Sequence, residues 1–384
     1  MLPHPAPGPA RRRLVALAAA AFLALVAGIA TGAGGSSKPA HAPATIAKPP
    51  ARALKTAKGL SLQRQIGEIL MISFPGTTAP SYVRRALREG RAGGVILFGG
   101  NAPSPASTAA LTRSLQRAGR QSVLIATDQE GGSIRILRWA PPTPSQGNQP
   151  VETVARGQAA AAASALRKAG VNVTLAPVAD VGGQGSVMAG RSFPGGTADV
   201  SKLTAAAVSG YRGSRVAATL KHFPGLGAAG TNTDDGPVTI STPAAALRTR
   251  DLPAFAAGIR SGAPLVMASH ALYTGLDRRN IASQSKTILT TLLRKELGFK
   301  GVVITDSMEA AAVLKRSSIE DAALRSVAAG ADILLLTGPG SFPRVSRQLL
   351  VGARRSAVFR ARIAEAAARV IALKRSIGLS AGRR

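Results

Sequence analysis

The sequence predicts an α/β fold, a closed (β/α)8 barrel of eight parallel strands wrapped by helices. Three observations predict it. Beyond Leu60, short apolar runs alternate with longer amphipathic segments. Eight such runs fit between that point and the end of the chain. The residues able to carry chemistry gather just past the ends of those runs. A strand buried on both faces reads as an unbroken apolar run, and helices between such strands make the sheet parallel. An open doubly wound sheet is the competing arrangement. It lacks support here because no Gly-x-Gly-x-x-Gly phosphate turn follows the first run.

The eight predicted strands are 69–74, 94–98, 123–127, 171–175, 217–220, 265–268, 301–305 and 332–336. Helical spacing of apolar residues fills the intervals at 82–89, 108–120, 151–169, 198–212, 243–261, 286–297 and 319–329. A last helical region runs from about residue 343 to 377. No second domain and no short repeat beyond the βα unit is evident.

The chain before Leu60 has a different character. Arg11, Arg12 and Arg13 precede an apolar run from Leu14 to Ala30, and a Gly/Ser/Pro/Ala stretch follows. A basic segment before an apolar one is the pattern of an export signal. Ala40-His41-Ala42 offers a small-x-small cleavage site. The run is also just long enough to compete as a retained anchor. In both cases the preceding positive charge places the bulk of the chain outside the cytoplasm. The expected organisation is therefore a signal or membrane anchor over 1–42, a low-complexity linker over 43–60 and one barrel domain over 61–384.

The 384 residues carry 49 Lys+Arg against 18 Asp+Glu, a formal charge of +31. The segment 1–42 contains no acid and only four of those cations, so the rest stays strongly basic. Such a surface attracts anionic polymers, either envelope polymer or DNA. The export pattern favours envelope polymer. The cations are mostly scattered rather than blocked, and aromatics are only 3%, which argues against a stacking platform for single-stranded nucleic acid. A DNA-binding reading rests on charge alone. The absence of Cys excludes disulfides, zinc–thiolate and Fe–S sites, and a cysteine nucleophile.

In a barrel of this class, chemistry sits past the C-terminal ends of the strands. The third run leads into Asp128-Gln129-Glu130-Gly131-Gly132, and the fourth into Ala176-Pro177-Val178-Ala179-Asp180. The fifth leads into Lys221-His222-Phe223-Pro224-Gly225 and a long polar loop, the sixth into Ser269-His270, and the seventh into Asp306-Ser307. Bland roles compete at each position. Asp128 can cap a turn, Asp180 can tie down its loop, and Lys221 can pair with a neighbouring acid. Glu130 and Glu309 read as structural groups. Two separated His and no Cys give no metal-ligand spacing, and Gly183–Met188 fails the Gly-x-Ser-x-Gly nucleophile pattern. No metal and no cofactor is expected.

Paired carboxylates remain. Glycoside cleavage needs one carboxylate at the anomeric carbon and one proton donor for the leaving oxygen. Arg191, Lys221 and His222 supply groups that hold sugar hydroxyls. Asp306, directly after an apolar strand, is placed as a fixed nucleophile, and surrounding cations keep it ionised.

Together these strings resemble glycoside hydrolase family 3, in its single-barrel branch of β-N-acetylhexosaminidases. The similarity spans about residues 62–375. It is carried by Gly93-Gly94-Val95-Ile96-Leu97-Phe98, Asp128-Gln129-Glu130-Gly131-Gly132, Leu175–Asp180, Arg191-Ser192-Phe193, Lys221–Gly225 and Ile304-Thr305-Asp306-Ser307-Met308. The resemblance implies a retaining mechanism with Asp306 as nucleophile. It implies sugar contacts from Asp128, Arg191, Lys221 and His222, with Met267–His270, including His270, lining the same pocket.

One departure matters. The branch pattern continues Lys-His-Phe-Pro-Gly-His-Gly and then carries an Asp-x-His acid/base dyad. This chain has Leu226 at the first of those histidines, Asn232 at the dyad Asp and Asp234 at the dyad His. Three explanations stand open. Asp234, or its neighbour Asp235, supplies the proton itself. The enzyme uses good leaving groups or borrows an acid from elsewhere. Or the barrel binds glycan without cleaving it. The expected function is an exported or membrane-tethered hydrolase removing a β-linked sugar, N-acetylglucosamine or a relative, from cell-wall glycan. An exported glycan-binding protein is the alternative.

Overall fold

The computed structural model describes residues 47–380 apart from Gln121. The expected signal or anchor over 1–42 lies outside the described residues. Among those described, no helix is long and apolar enough to cross a membrane.

Eight parallel strands close on themselves. They are β1 (Leu70–Ile72), β2 (Gly94–Ile96), β3 (Leu124–Thr127), β4 (Val173–Thr174), β5 (Ala217–Phe223), β6 (Leu265–Ala268), β7 (Val302–Ser307) and β8 (Ile333–Leu336). Each pairs with its chain neighbours, and β1 closes the ring against β8 through Leu70 opposite Leu334 and Ile72 opposite Leu336. All eight predicted runs are these strands: five are trimmed by one to three residues, Leu265–Ala268 is matched end to end, and the seventh is shifted to end at Ser307. The fifth extends further, through Lys221 and His222 to Phe223, which carries those side chains to the rim.

The helices, in chain order, are α1 (Ala51–Lys58), α2 (Leu62–Glu68), α3 (Ser81–Arg88), α4 (Pro105–Ala118), α5 (Glu152–Lys168), α6 (Thr197–Tyr211), α7 (Ala244–Arg250), α8 (Leu252–Arg260), α9 (Ala311–Leu314), α10 (Ile319–Ala329), α11 (Ser341–Arg355) and α12 (Ala357–Ser376). A π-wound segment, Thr287–Glu296, stands between β6 and β7. Sequence sets their limits. Ser104 accepts the Ser107 amide, with Pro105 in the first turn, to start α4. Ser318 accepts the Asp321 amide at α10, and Gly330 at φ 129° ends it.

Two expected long helices are each divided. The 243–261 stretch breaks at Asp251 because Pro253 fits only a first turn. The 343–377 stretch breaks at Ser356, whose hydroxyl accepts the Phe359 amide and so opens α12. The linker expected over 43–60 is also partly helix. Ala53 and Ala57 of α1 fall on one face and are buried, with Lys55 and Lys58 outside. Arg375 of α12 bonds Thr56 Oγ1 at 2.7 Å, and Arg369 bonds the Ala47 carbonyl at 3.1 Å.

Side chains alternate across the strands. Met71, Ile96, Leu124, Ala126, Leu265, Met267, Val302, Ile304 and Leu335 fill the lumen, while Leu70, Val95, Ile125, Val266 and Val303 meet the helices. Val370, Leu373 and Ile377 of α12 join the luminal cluster. They seal the end at which the strands begin. Beside them, Asp332 at the foot of β8 is fully buried among Arg294, Arg362 and Arg369. The expected site residues lie at the opposite rim, where the strands end.

Candidate active site

Past β3, Gln129 locks its loop. Its side chain accepts from the Leu137 amide at 3.0 Å and donates to the carbonyls of Leu137, Ala140 and Pro141. That fixes Asp128 and Glu130 on either side of it. Glu130 is buried and takes Arg191 through two bonds, 3.0 and 2.8 Å, and Lys221 at 2.7 Å. Lys221 also holds Asp128 at 2.6 Å. Burial alone would push Glu130 up, but Lys221 and Arg191 outweigh it and hold its carboxyl at about 2. Burial likewise opposes the Lys221 charge, and Asp128 and Glu130 prevail and raise it. Glu130 is thus the inner anchor of two cations. The side chains of Arg191 and Asp128 stay about one-fifth exposed and face the mouth.

Asp180 is buried and works on the β5 loop. One oxygen accepts the His222 amide at 3.0 Å and the Leu226 amide at 2.6 Å. The other accepts from His222 Nδ1 at 2.7 Å. The carboxylate therefore fixes the imidazole as an Nδ1 donor, leaving Nε2 for the pocket. Leu226, at the position of the branch histidine, is buried in the core.

Asp306, the last residue but one of β7, is half-buried, with Oδ1 taking the Ser307 amide at 2.8 Å. Burial disfavours its anion, yet His222, His270, Lys221 and that amide together hold it below the usual carboxylate range. Asp234 behaves oppositely. Partial burial and then the negative charge of Asp306 push it up, against a hydrogen bond from Asn232. The charge of Asp306 thus reaches Asp234 at the rim. Asp234 is held there because the Ala311 and Ala312 amides donate to the carbonyls of Asp234 and Thr233 at 3.1 and 3.0 Å. On the other side, Val187 of the β4 loop bonds the Ala229 carbonyl at 2.8 Å. Asp234 and its neighbour Asp235 are both exposed.

His270 departs from expectation. The resemblance gives it a place in the sugar pocket, but it is fully buried and both ring nitrogens are engaged. Nε2 donates to the Ser307 carbonyl at 2.9 Å, and Nδ1 meets Ser283 Oγ at 2.7 Å. Burial lowers its pKa. It steadies the backbone beside Asp306 from behind. Met267 likewise points into the lumen. Ser283 and Thr337 carry no signal in the sequence. Thr337 hydroxyl meets Ser307 Oγ at 2.5 Å, and Glu309 accepts from the Thr337 amide at 2.8 Å. Among the described residues, no group of three or more His, Cys, Asp or Glu is arranged to hold a metal ion.

A closed (β/α)8 barrel with two carboxylates of opposed proton preference, set among fixed cations at its C-terminal rim, defines a carboxylate-using enzyme of the glycosidase type. The chain belongs to glycosyl hydrolase family 3: the N-terminal domain of that family matches residues 61–373. A secreted glycosyl hydrolase of Arthroderma benhamiae is 36% identical over 73% of this chain and 83% of its own length. A beta-hexosaminidase of Xanthomonas oryzae pv. oryzae is 33% identical over 71% and 84%. Among solved structures, a family 3 beta-N-acetylglucosaminidase from Paenibacillus sp. superposes with a TM-score of 0.79 at 31% identity, covering 85% of this chain. The chain spans 64% of that longer protein. A beta-N-acetylhexosaminidase from Beutenbergia cavernae gives 0.76 at 33% identity, covering 82% of this chain and 98% of that one.

Proposed function

We propose that the protein is a retaining exo-glycosidase that removes terminal β-linked N-acetylglucosamine from cell-wall glycan or its fragments. Asp306 attacks the anomeric carbon and forms a glycosyl–enzyme ester while the leaving oxygen takes a proton from Asp234. Asp234 then removes a proton from water, which cleaves the ester and restores both groups. Asp128, Arg191, Lys221 and the free Nε2 of His222 hold the sugar hydroxyls. The observation that carries this reading is the backbone fastening of the Asp234 segment, by the Ala311 and Ala312 amides, to the turn after Asp306; the opposite directions in which their surroundings push the two carboxyls agree with it. The relatives' names supply the sugar, and the secreted relative together with the basic–apolar N-terminal pattern supplies the export.

The replaced dyad favours a second reading, an exported protein that binds glycan without turnover. A panel of aryl β-glycosides separates the two. The catalytic reading expects release of aryl alcohol, greatest for N-acetylglucosaminide. It also expects a loss of about 10⁴-fold or more in Asp306→Asn and return of turnover when azide is added to Asp306→Ala. No turnover by the parent on any glycoside leaves the binding reading.

A further inference from the structure

The strands begin at the end of the barrel opposite the catalytic rim, and the helices that lead into them finish there. Four turns lie side by side at that end: 117–123 before β3, 167–172 before β4, 212–216 before β5 and 260–264 before β6. They carry Lys and Arg but no Asp or Glu. Two exposed acids at the same end, Glu89 and Glu296, are already taken by Arg91 and Arg248.

Helix dipoles explain part of this charge. Arg117, Arg167, Lys168 and Arg260 stand in last turns, where a cation is stabilising. Dipoles do not explain Arg120 and Arg215. Both lie beyond their helices with left-handed backbone, at φ 54° and 64°, and among the described residues they are the only non-glycine residues with positive φ. In comparable turns the chain uses glycine, at Gly90, Gly170, Gly262 and Gly298. A side chain at such a position is strained, and glycine relieves it. The chain nevertheless places arginine at both. Each is exposed, and neither side chain has an ion-pair partner among the described residues.

The face is braced. Arg167 Nη1 donates to the Ser214 carbonyl at 3.1 Å, and Arg212 Nη2 donates to the Ser261 carbonyl at 2.9 Å. Each bond joins two neighbouring turns, and a neutral acceptor leaves the guanidinium charge uncompensated. Between the β5 and β6 turns lies a pocket of about 360 Å³, within the range of small-ligand sites, about 300–1,000 Å³. Arg212, Arg215 and Ser261 line it with the apolar Val216 and Pro264, and no acid does. Guanidinium forks beside apolar surface suit a phosphodiester with apolar substituents. Residue 47 lies at this end too: Arg369 bonds the Ala47 carbonyl and pairs with Asp332 at the foot of β8.

We propose that this face docks the protein on an anionic phospholipid bilayer, with Arg120, Arg212 and Arg215 meeting lipid phosphates. The catalytic rim then faces away from the lipid. Cations spread over four turns match a surface, whereas a linear polyanion calls for a groove that tracks its backbone. The inference is independent of the glycosidase reading.

The test sediments the full chain with phosphatidylglycerol–phosphatidylcholine vesicles and with phosphatidylcholine vesicles. The ratio of the two partition coefficients is read, so apolar insertion common to both cancels. The parent is expected to favour the anionic vesicles, less so in high salt. Arg120→Gly/Arg215→Gly is the diagnostic variant. Glycine suits both backbones, so its melting temperature is expected not to fall. Its ratio is expected to drop roughly 25-fold, about fivefold for each cation lost. Lys168→Gln repeats the reading at an unstrained position and is expected to cost about fivefold. Arg278→Gln/Arg279→Gln, an exposed pair in the segment after β6 at the catalytic end, removes the same charge as the glycine pair and is expected to keep the parent ratio. A parent ratio near one overturns the proposal, as does a glycine pair that keeps the parent ratio. An equal drop in the glycine and Arg278/Arg279 pairs also overturns it, because net charge alone is then at work. Tighter retention of the parent on polyphosphate or duplex DNA than on anionic vesicles, lost in the glycine pair, assigns the face to a linear polyanion and overturns the bilayer.

Discussion

The amide of Ala311 donates to the carbonyl of Asp234 at 3.1 Å. The segment carrying the proposed proton donor is therefore fastened by its backbone to the turn that follows the proposed nucleophile. On the resemblance, Asn232 and Asp234 stand where an Asp-x-His dyad is expected, and these backbone bonds tie the segment that carries Asp234 to the turn after Asp306.

The two carboxylates set the pH profile. Turnover needs Asp306 as the anion and Asp234 as the acid. Asp306 is held below the usual range and Asp234 is raised above it. Thus kcat/KM is expected to climb with pH as Asp306 loses its proton and to fall at higher pH as Asp234 loses its own. In Asp234→Asn the falling limb is expected to vanish. A falling limb unchanged in that variant assigns it to another group.

Leaving-group dependence tests the same residue by another route. Asp234→Asn is expected to lose about 10²–10⁴-fold on alkyl glycosides, whose leaving oxygen needs a proton. The loss is expected to shrink toward nothing on dinitrophenyl glycosides. A uniform loss across leaving groups places Asp234 in binding instead.

Glu130→Gln separates anchoring from chemistry. It leaves Lys221 and Arg191 buried or half-buried with a weaker partner, and breaking such a network costs about 3–5 kcal/mol. The unfolded chain protonates Glu130 near 4.5 and the folded one at about 2. Between those values the unfolded state binds more protons, so the stabilisation present above pH 4.5 is lost as pH falls toward 2. Denaturant titrations are expected to show the variant less stable at neutral pH, with the gap closing in acid. A gap constant with pH contradicts the assignment.

Gly227 provides a test of the loop. A Cβ there would come within 2.0 Å of the Val181 carbonyl, whereas at Gly230 it would meet nothing within 4 Å. Gly227→Ala is expected to cost about 1–3 kcal/mol and to lower kcat as the loop shifts, while Gly230→Ala leaves the melting temperature unchanged. Similar behaviour of the two variants removes the close backbone approach as the cause.

The barrel was legible because doubly buried strands such as Leu265–Ala268 have no polar residue to confuse their reading. The arrival of Asp128, Lys221 and Asp306 at one rim followed from their places after those strands. Helix ends were less legible. The break at Ser356 depends on one hydroxyl competing with backbone carbonyls for an amide, and the short α1 owes its form to packing on α12, far away in the sequence. The role of His270 was illegible. Its partner Ser283 lies in a turn well beyond it in sequence, and nothing in either residue's neighbours signals that the ring faces inward. Thr337 was illegible for a similar reason, since its partners Ser307 and Glu309 come from a different strand end.

The stopper of the lumen has a consequence for how the molecule is made. Val370 and Ile377 share one apolar cluster with Met71, yet the ribosome adds them only after all eight strands. A growing chain with all eight strands already synthesised still has a wet, open floor. Two arginine partners of Asp332, Arg362 and Arg369, arrive only with the same late helix. Cooperative closure thus waits for a helix that follows all eight strands in the sequence.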